Sequence, residues 1–203
     1  MTELRGIFAA TISVFNDDLS LNIEKTIEHS EKIINEGCHG VVMFGSTGQA
    51  QYISVSEKIS LINQLSKSKY SDQFIIGTGL NSLIEIINFM KTSCSLNFNN
   101  FLVMPPAFYS YDELGVKKFY EKIIESVPTS KIILYNFEAL CGFKFNENLV
   151  KDLKKEFPDQ IVGIKDTTGN LFKKIKIDNF SYFSGTELNL LEGLKFGYAG
   201  IIT

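Results

Sequence analysis

The stretch Ile161-Val-Gly-Ile-Lys-Asp-Thr-Thr-Gly169 ends a short apolar run in a lysine. Runs of this kind become buried strands, so Lys165 either marks the exit into water or is held inside. Held inside, its ammonium is disfavoured by desolvation, its pKa falls, and the free amine becomes a nucleophile. Such an amine condenses with a ketone to a Schiff base, whose iminium withdraws electrons from the adjacent carbon. Two other apolar runs end in groups that suit this chemistry. One ends in Tyr135-Asn136, and a phenol can shuttle a proton. The other ends in Phe44-Gly-Ser-Thr-Gly-Gln49, where two glycines flank the hydroxyls of Ser46 and Thr47. Backbone N–H groups and hydroxyls in such a turn can converge on a small anion such as a carboxylate. Amine, phenol and hydroxyl loop together point to a 2-oxo acid. Singly each has a plainer reading, as a solvated strand end, a core tyrosine and a turn.

What brings the three together is the order of elements. Runs rich in β-branched and aromatic residues occur at Ile7–Phe15, Gly40–Phe44, Phe74–Gly77, Asn100–Met104, Lys131–Tyr135, Ile161–Ile164, Ser181–Phe183 and Ala199–Ile202. Between them lie helical periodicities: Ile23, Ile27 and Ile34, closing at Gly37; Ile59, Ile62 and Leu65 after a Ser54-x-x-Glu57 capping box; Leu83, Ile86, Ile87 and Met90; Phe119, Ile123 and Ile124; Leu149, Leu153 and Phe157. Strand and helix alternating throughout predict right-handed βαβ units and a parallel sheet. An open doubly wound sheet would carry a Gly-rich phosphate loop after its first strand, and Phe15-Asn-Asp-Asp-Leu19 stands there instead. Eight units favour an α/β (β/α)₈ TIM barrel, with residues 1–203 as one domain. Reactive groups then gather at the C-terminal strand ends. Period-two alternation puts Ile133 with Tyr135 on one face, and Ile161, Gly163 and Lys165 on another, with Gly163 leaving room beneath the lysine stem.

Composition narrows the function classes. Hydrophobic residues make up 44% and charged residues 21%, as in an ordinary globular chain. A formal charge of −3 supplies no basic field for nucleic acid or an anionic membrane. No signal-peptide pattern opens the chain and no apolar run nears the ~18 residues of a membrane span, so a cytoplasmic protein is expected. Three scattered cysteines without CxxC spacing indicate neither a disulfide framework nor a zinc site. Two histidines without HExxH spacing give no catalytic metal.

The set FGSTGQ, LYNFEALCG, GIKDTTGN and FSGTELNLLEGLKFGYAGI, in this order from about Gly6 to Thr203, resembles the dihydrodipicolinate synthase / N-acetylneuraminate lyase family of class I aldolases. The resemblance implies that Lys165 forms a Schiff base with pyruvate or a related 2-oxo acid, with no separate cofactor. It implies Tyr135 as proton shuttle, Ser46 and Thr47 as carboxylate binders, and Gly185 as a lining residue of the substrate pocket. Thr167 and Glu187 fall in Lys165-Asp-Thr167 and Ser184-Gly-Thr-Glu187, which resemble the 2-keto-3-deoxy sugar acid aldolases and are expected at the substrate. A tyrosine that family members reach across a subunit interface falls near Phe108 or Tyr109, and Tyr109 is favoured. A homo-oligomer is implied, a tetramer in the full-length form.

Departures from the family pattern refine these expectations. Gln49 stands in place of a glutamate, and Glu138 in place of the proline of Tyr-Asn-x-Pro. Leu140 stands where dihydrodipicolinate synthases carry an arginine that helps hold their acidic second substrate. Leucine there resembles the sialic acid lyases and favours a 2-keto-3-deoxy sugar acid or N-acetylneuraminate-like substrate over 4-hydroxy-tetrahydrodipicolinate synthesis. Family members continue past strand eight with an outer helix and a C-terminal helical segment, whereas this sequence stops at Ile201-Ile-Thr203. That is expected of a fragment or a truncated paralogue, with apolar surface open beside strand eight. A non-catalytic barrel that binds 2-oxo acids or only oligomerises is the alternative of another class.

Overall fold

The computed structural model describes residues 4–203. Eight parallel strands close into a barrel in chain order. They are β1 (Gly6–Ala10), β2 (Gly40–Met43), β3 (Phe74–Gly77), β4 (Asn100–Val103), β5 (Lys131–Asn136), β6 (Ile161–Asp166), β7 (Ser181–Ser184) and β8 (Gly200–Ile202). Seven α-helices accompany them: α1 (Ile23–Asn35), α2 (Val55–Leu65), α3 (Leu83–Ser95), α4 (Glu113–Ser126), α5 (Glu138–Cys141), α6 (Glu147–Glu156) and α7 (Leu190–Phe196). The expected (β/α)₈ architecture is therefore present. The first run ends early as a strand, at Ala10, and Phe15 makes only an isolated bridge to Leu21.

The barrel closes through β8 and the residue after it. β8 pairs with β7 and with β1, and Ala10 N–H donates to the Thr203 carbonyl at 2.7 Å. Ile201 and Ile202 are buried, so the apolar surface expected to be open lies beside strand eight and not on it. The exposed apolar residues near this edge are Ile7 on β1 and Leu191, Leu194 and Phe196 on α7.

The helices start where capping chemistry directs them. Asn22, Asp112 and Asn146 each accept a backbone N–H of the first turn of α1, α4 and α6. Ser54 and Glu57 form the reciprocal capping box of α2, and Glu57 also accepts the Leu21 N–H at 2.8 Å. Gly37 ends α1 at φ +111°, a conformation that other residues adopt only with strain. The buried stripe of α2 is Lys58, Leu61, Ile62 and Leu65, with Ile59 only half buried. That stripe runs at i, i+3, i+4 and i+7, so a lysine occupies a core position of the helix. The buried face of α1 likewise turns on Thr26, Ser30 and Ile34 rather than on Ile23 and Ile27.

Two apolar layers result. Side chains between barrel and helices form the larger one. Inside the barrel lie Phe8, Val42, Ile75, Leu102, Ile133, Tyr135, Phe183, Ala199 and Ile202. Ile133 and Tyr135 share that inner face as their spacing predicts. Strand β6 departs from simple alternation. The β5–β6 register shifts between Ile132 and Ile133, so Ile161 packs in the outer layer and Val162 against the inner one. Ile161 is thus not on the lysine's face, because a bulge inverts the alternation preceding it. Gly163 also has a different role from the one expected. A Cβ there would stand 2.3 Å from the Ser181 carbonyl oxygen, so the glycine admits the backbone of β7.

Candidate active site

Lys165 and Tyr135 occupy the same rung of adjacent strands. Lys165 pairs with Tyr135 on β5 and with Phe183 on β7, beyond the bulge and near the C-terminal strand ends. Both side chains are buried, at 5% and 4% exposure. The lysine nitrogen lies 4.6 Å from the centroid of the Tyr135 ring. A ring face attracts a cation weakly and cannot replace water around an ammonium. Desolvation, with no charged neighbour among the described residues to offset it, brings the Lys165 amine down from 10.5 to about 8. An appreciable fraction is then neutral near pH 7, where a solvated lysine is almost wholly charged.

The phenol is placed from the other side by the β2 loop. Phe44 and Gln49 both adopt positive φ, at +53° and +52°, and with Gly45 and Ser46 between them they line the cavity that adjoins Tyr135. Ser46 Oγ comes within 3.2 Å of the Tyr135 hydroxyl. Burial raises the Tyr135 pKa, and the Ser46 and Thr167 hydroxyls partly offset the rise. The phenol is therefore protonated at neutral pH and able to donate. Thr167 Oγ1 is buried, and among the described residues it has no hydrogen-bond partner at full geometry, so its influence on the Tyr135 phenol is a weak one. Gly185 is required beside it, since a Cβ there would approach Thr167 Oγ1 to 2.1 Å.

Beside Tyr135 and Ser46 opens a cavity of about 510 Å³, and Lys165, Thr167 and Gly185 are not among the residues that line it. Ser46, Gln49, Asn81, Met104, Phe108 and Leu140 are among its lining residues, and Tyr135 connects it with the lysine. Among the described residues no basic side chain lines it. The sequence-predicted residues thus divide. Lys165, Tyr135, Ser46, Thr167 and Gly185 converge. Thr47 is exposed on the same loop but does not line the cavity. Glu187 points elsewhere, its carboxylate accepting the Thr203 hydroxyl at 2.5 Å. Tyr109 is 67% exposed and packs edge-on against Phe108, and it is Phe108, at φ +88°, that lines the cavity.

A second buried lysine supports the cavity wall. Lys58 on α2 is fully buried and donates to the Thr78 and Gly79 carbonyls, each at 3.1 Å. It thereby ties α2 to the β3 loop, whose Asn81 accepts the Ala107 N–H at 2.9 Å next to Phe108. Its signal in the sequence is a lysine three and four residues before Leu61 and Ile62, within an apolar stripe. Desolvation lowers its amine to about 8 as well, partly countered by the Glu85 charge. These two amines give a signed expectation for stability. Between pH 8 and 10.5 the unfolded chain binds protons that the folded one does not, so stability rises with pH across that window. The rise is at most about 3 kcal/mol per lysine. Tyrosines with raised pKa values, Tyr135 among them, reverse the trend above about pH 10. Urea midpoints measured at intervals from pH 7 to 10 should therefore increase, and Lys58→Met should flatten part of the increase.

A sequence model of the Dihydrodipicolinate synthetase family matches residues 3–203. A DapA-like lyase of Chloroflexus aurantiacus is 27% identical over 210 residues, which cover 100% of this chain and 70% of that protein. A 4-hydroxy-tetrahydrodipicolinate synthase of Karelsulcia muelleri is 28% identical over 214 residues, again covering 100% and 70%. Among solved structures, a prophage protein of E. coli K12 from the dihydrodipicolinic acid synthase family, in complex with pyruvate, superposes with a TM-score of 0.85 at 24% identity. That match covers 99% of this chain and 70% of the other. The chain spans 62% to 70% of the length of such curated relatives. With its eight-stranded barrel, the buried Lys165–Tyr135 rung and a family match along almost its whole length, the chain belongs to the dihydrodipicolinate synthetase family, a family of lyases.

Proposed function

We propose that this chain is the barrel of a class I, pyruvate-dependent carbon–carbon lyase in which Lys165 is the Schiff-base nucleophile. The observation that carries the reading is a buried lysine without a counter-ion, its amine at about 8, against the ring of Tyr135. In the cleavage direction the amine adds to the C2 carbonyl of a 2-oxo acid, and loss of water gives the iminium. The C4 hydroxyl then loses its proton, the C3–C4 bond breaks with release of an aldehyde, and the electron pair passes into an enamine. Protonation at C3 and hydrolysis return pyruvate and the free amine. Tyr135, protonated and held by Ser46, carries protons to and from these oxygens. The lysine itself provides the electron sink, so no separate cofactor is invoked. Ser46 and Thr47 are assigned to the carboxylate, and Thr167, Gly185 and Glu187 to the remainder of the substrate, with Glu187 requiring release from Thr203. Tyr109 is assigned to a subunit interface of a homo-oligomer, a tetramer in the full-length protein, and the compartment is the cytoplasm.

The cavity favours a neutral aldehyde half. Leu140 lines it, and Gln49 and Asn81 offer amides to hydroxyls. A 2-keto-3-deoxy sugar acid or N-acetylneuraminate-like substrate fits this lining. Synthesis of 4-hydroxy-tetrahydrodipicolinate is the second reading, supported by the Karelsulcia relative and opposed by the lack of a basic residue for an acidic second substrate. Pyruvate release from a panel of 2-keto-3-deoxy sugar acids and N-acetylneuraminate, run beside a coupled assay with pyruvate and aspartate semialdehyde, separates the two. Pyruvate is expected from the panel. Turnover with the semialdehyde alone would transfer the assignment to the synthase, and a pyruvate-induced thermal shift without any turnover would leave only a binding barrel.

A further inference from the structure

Behind Lys165, on the outer face of β6, Asp166 is 2% exposed and has no cationic partner among the described residues. Its carboxylate instead accepts four hydrogen bonds. Asn136 Nδ2 donates at 2.7 Å, Gly169 N–H at 2.8 Å, Leu171 N–H at 3.1 Å, and the Tyr182 hydroxyl completes the set. Burial and the Asp166 charge hold the Tyr182 phenol protonated, so it remains a donor. Tyr182 stacks on Tyr198, with centroids 4.0 Å apart and an interplanar angle of 29°. Tyr198 is itself fixed, its hydroxyl accepting the Lys173 N–H at 2.5 Å. Gly193 makes room for that ring, since a Cβ there would stand 2.4 Å from it.

These contacts meet a need created by the bulge. A one-residue slip in a strand sends each side chain to the opposite face. The β5–β6 register is irregular between Ile132 and Ile133, just before the reactive rung, so the ladder from the strand's start does not by itself fix which face Lys165 takes. The next rung beyond Tyr135–Lys165 is Asn136–Asp166, and there a side-chain hydrogen bond joins the two strands. Asn136 is tied in turn to Asn170 at 2.8 Å and to the Phe145 N–H at 3.1 Å. With the outer rung pinned, the inner rung must face the barrel axis.

We propose that Asp166, clamped by Asn136 and by the stacked Tyr182–Tyr198 pair, is a positioning residue that holds the Lys165 amine dehydrated against Tyr135. This rests on the Schiff-base reading for its purpose, but the positioning can be tested without it. Around Lys165, β5 presents Tyr135 as the one titratable group and β7 presents Phe183, while the Asp166 carboxylate lies on the opposite face. A change in the amine's titration on altering Asp166 or Tyr182 therefore reports altered hydration, because no charged neighbour acts on it.

The test uses the full chain, its Tyr182→Phe variant, which keeps the ring and its stack, and its Asp166→Asn variant. Formaldehyde with cyanoborohydride methylates neutral amines, and peptide mass spectrometry gives the rate at Lys165 as a function of pH. The wild-type rate should rise through about pH 8. Both variants should move that limb towards the ordinary lysine range, Asp166→Asn by more, with about a tenfold loss of rate at pH 7 for each unit moved. Lowered melting temperatures with the limb still at about 8 would overturn the proposal and leave a structural pillar only. A wild-type limb in the ordinary lysine range would overturn it as well. Should Asp166→Asn fail to fold, Tyr182→Phe alone decides. Absence of a pyruvate adduct on a wild-type amine that titrates near 8 would count against the Schiff-base reading and leave the positioning result standing.

Discussion

Lys165→Met should abolish pyruvate-forming turnover while the barrel remains folded. Methionine matches the unbranched stem and fills the same space between Tyr135 and Phe183, so packing changes little. What disappears is the amine. Every covalent step of the proposed mechanism passes through that nitrogen, and no amine stands among the side chains lining the adjoining cavity to take its place. Lys58 cannot substitute, since it is fully buried on α2 with its ammonium engaged by two carbonyls. Turnover should therefore fall to the uncatalysed background rather than to a reduced rate. The melting temperature should stay level or rise below pH 8, because a desolvated ammonium has been removed from the interior. Activity and thermal melting on the same preparation check both halves of the statement. Turnover by the variant would mean that the nucleophile lies elsewhere.

Tyr135→Phe should lower kcat by about 10²- to 10⁴-fold, the usual range for losing a positioned proton donor. The ring that packs over Lys165 remains, so the amine should still titrate near 8 and still form a trappable adduct, only more slowly. Ser46 loses the partner it holds at 3.2 Å and becomes free to rehydrate. A loss seen in kcat with little change in the pyruvate adduct's stability would match a proton shuttle. Equal loss in KM alone would identify Tyr135 as a binding group instead.

The barrel was legible because all eight apolar runs end within a few residues of observed strands, the largest error being the over-long first one. Local patterning also recovered Ser54 and Glu57 as a capping box and the shared inner face of Ile133 and Tyr135. The Lys165–Tyr135 rung was reachable by alternation, yet the alternation held only on the far side of a bulge. Ile161 and Val162 give no local sign that they exchange layers, since that depends on how β5 and β7 approach β6. Phe108 lines the cavity through a left-handed backbone turn, which residue type alone does not announce, while Tyr109 beside it stays exposed. Lys58 was visible in principle as a charge within an apolar stripe. The clamp on Asp166 was not, because Tyr182 and Tyr198 lie on other strands and connections and meet it only after closure.

The central claim is that Lys165 is the amine that captures a 2-oxo acid. It is tested most directly by borohydride reduction of the protein in the presence of pyruvate, followed by peptide mass spectrometry. The account predicts one reduced pyruvyl adduct per chain, located on Lys165, forming faster as pH rises through about 8 and absent from Lys165→Met. An unmodified Lys165, or an adduct on any other lysine at comparable yield, would contradict it.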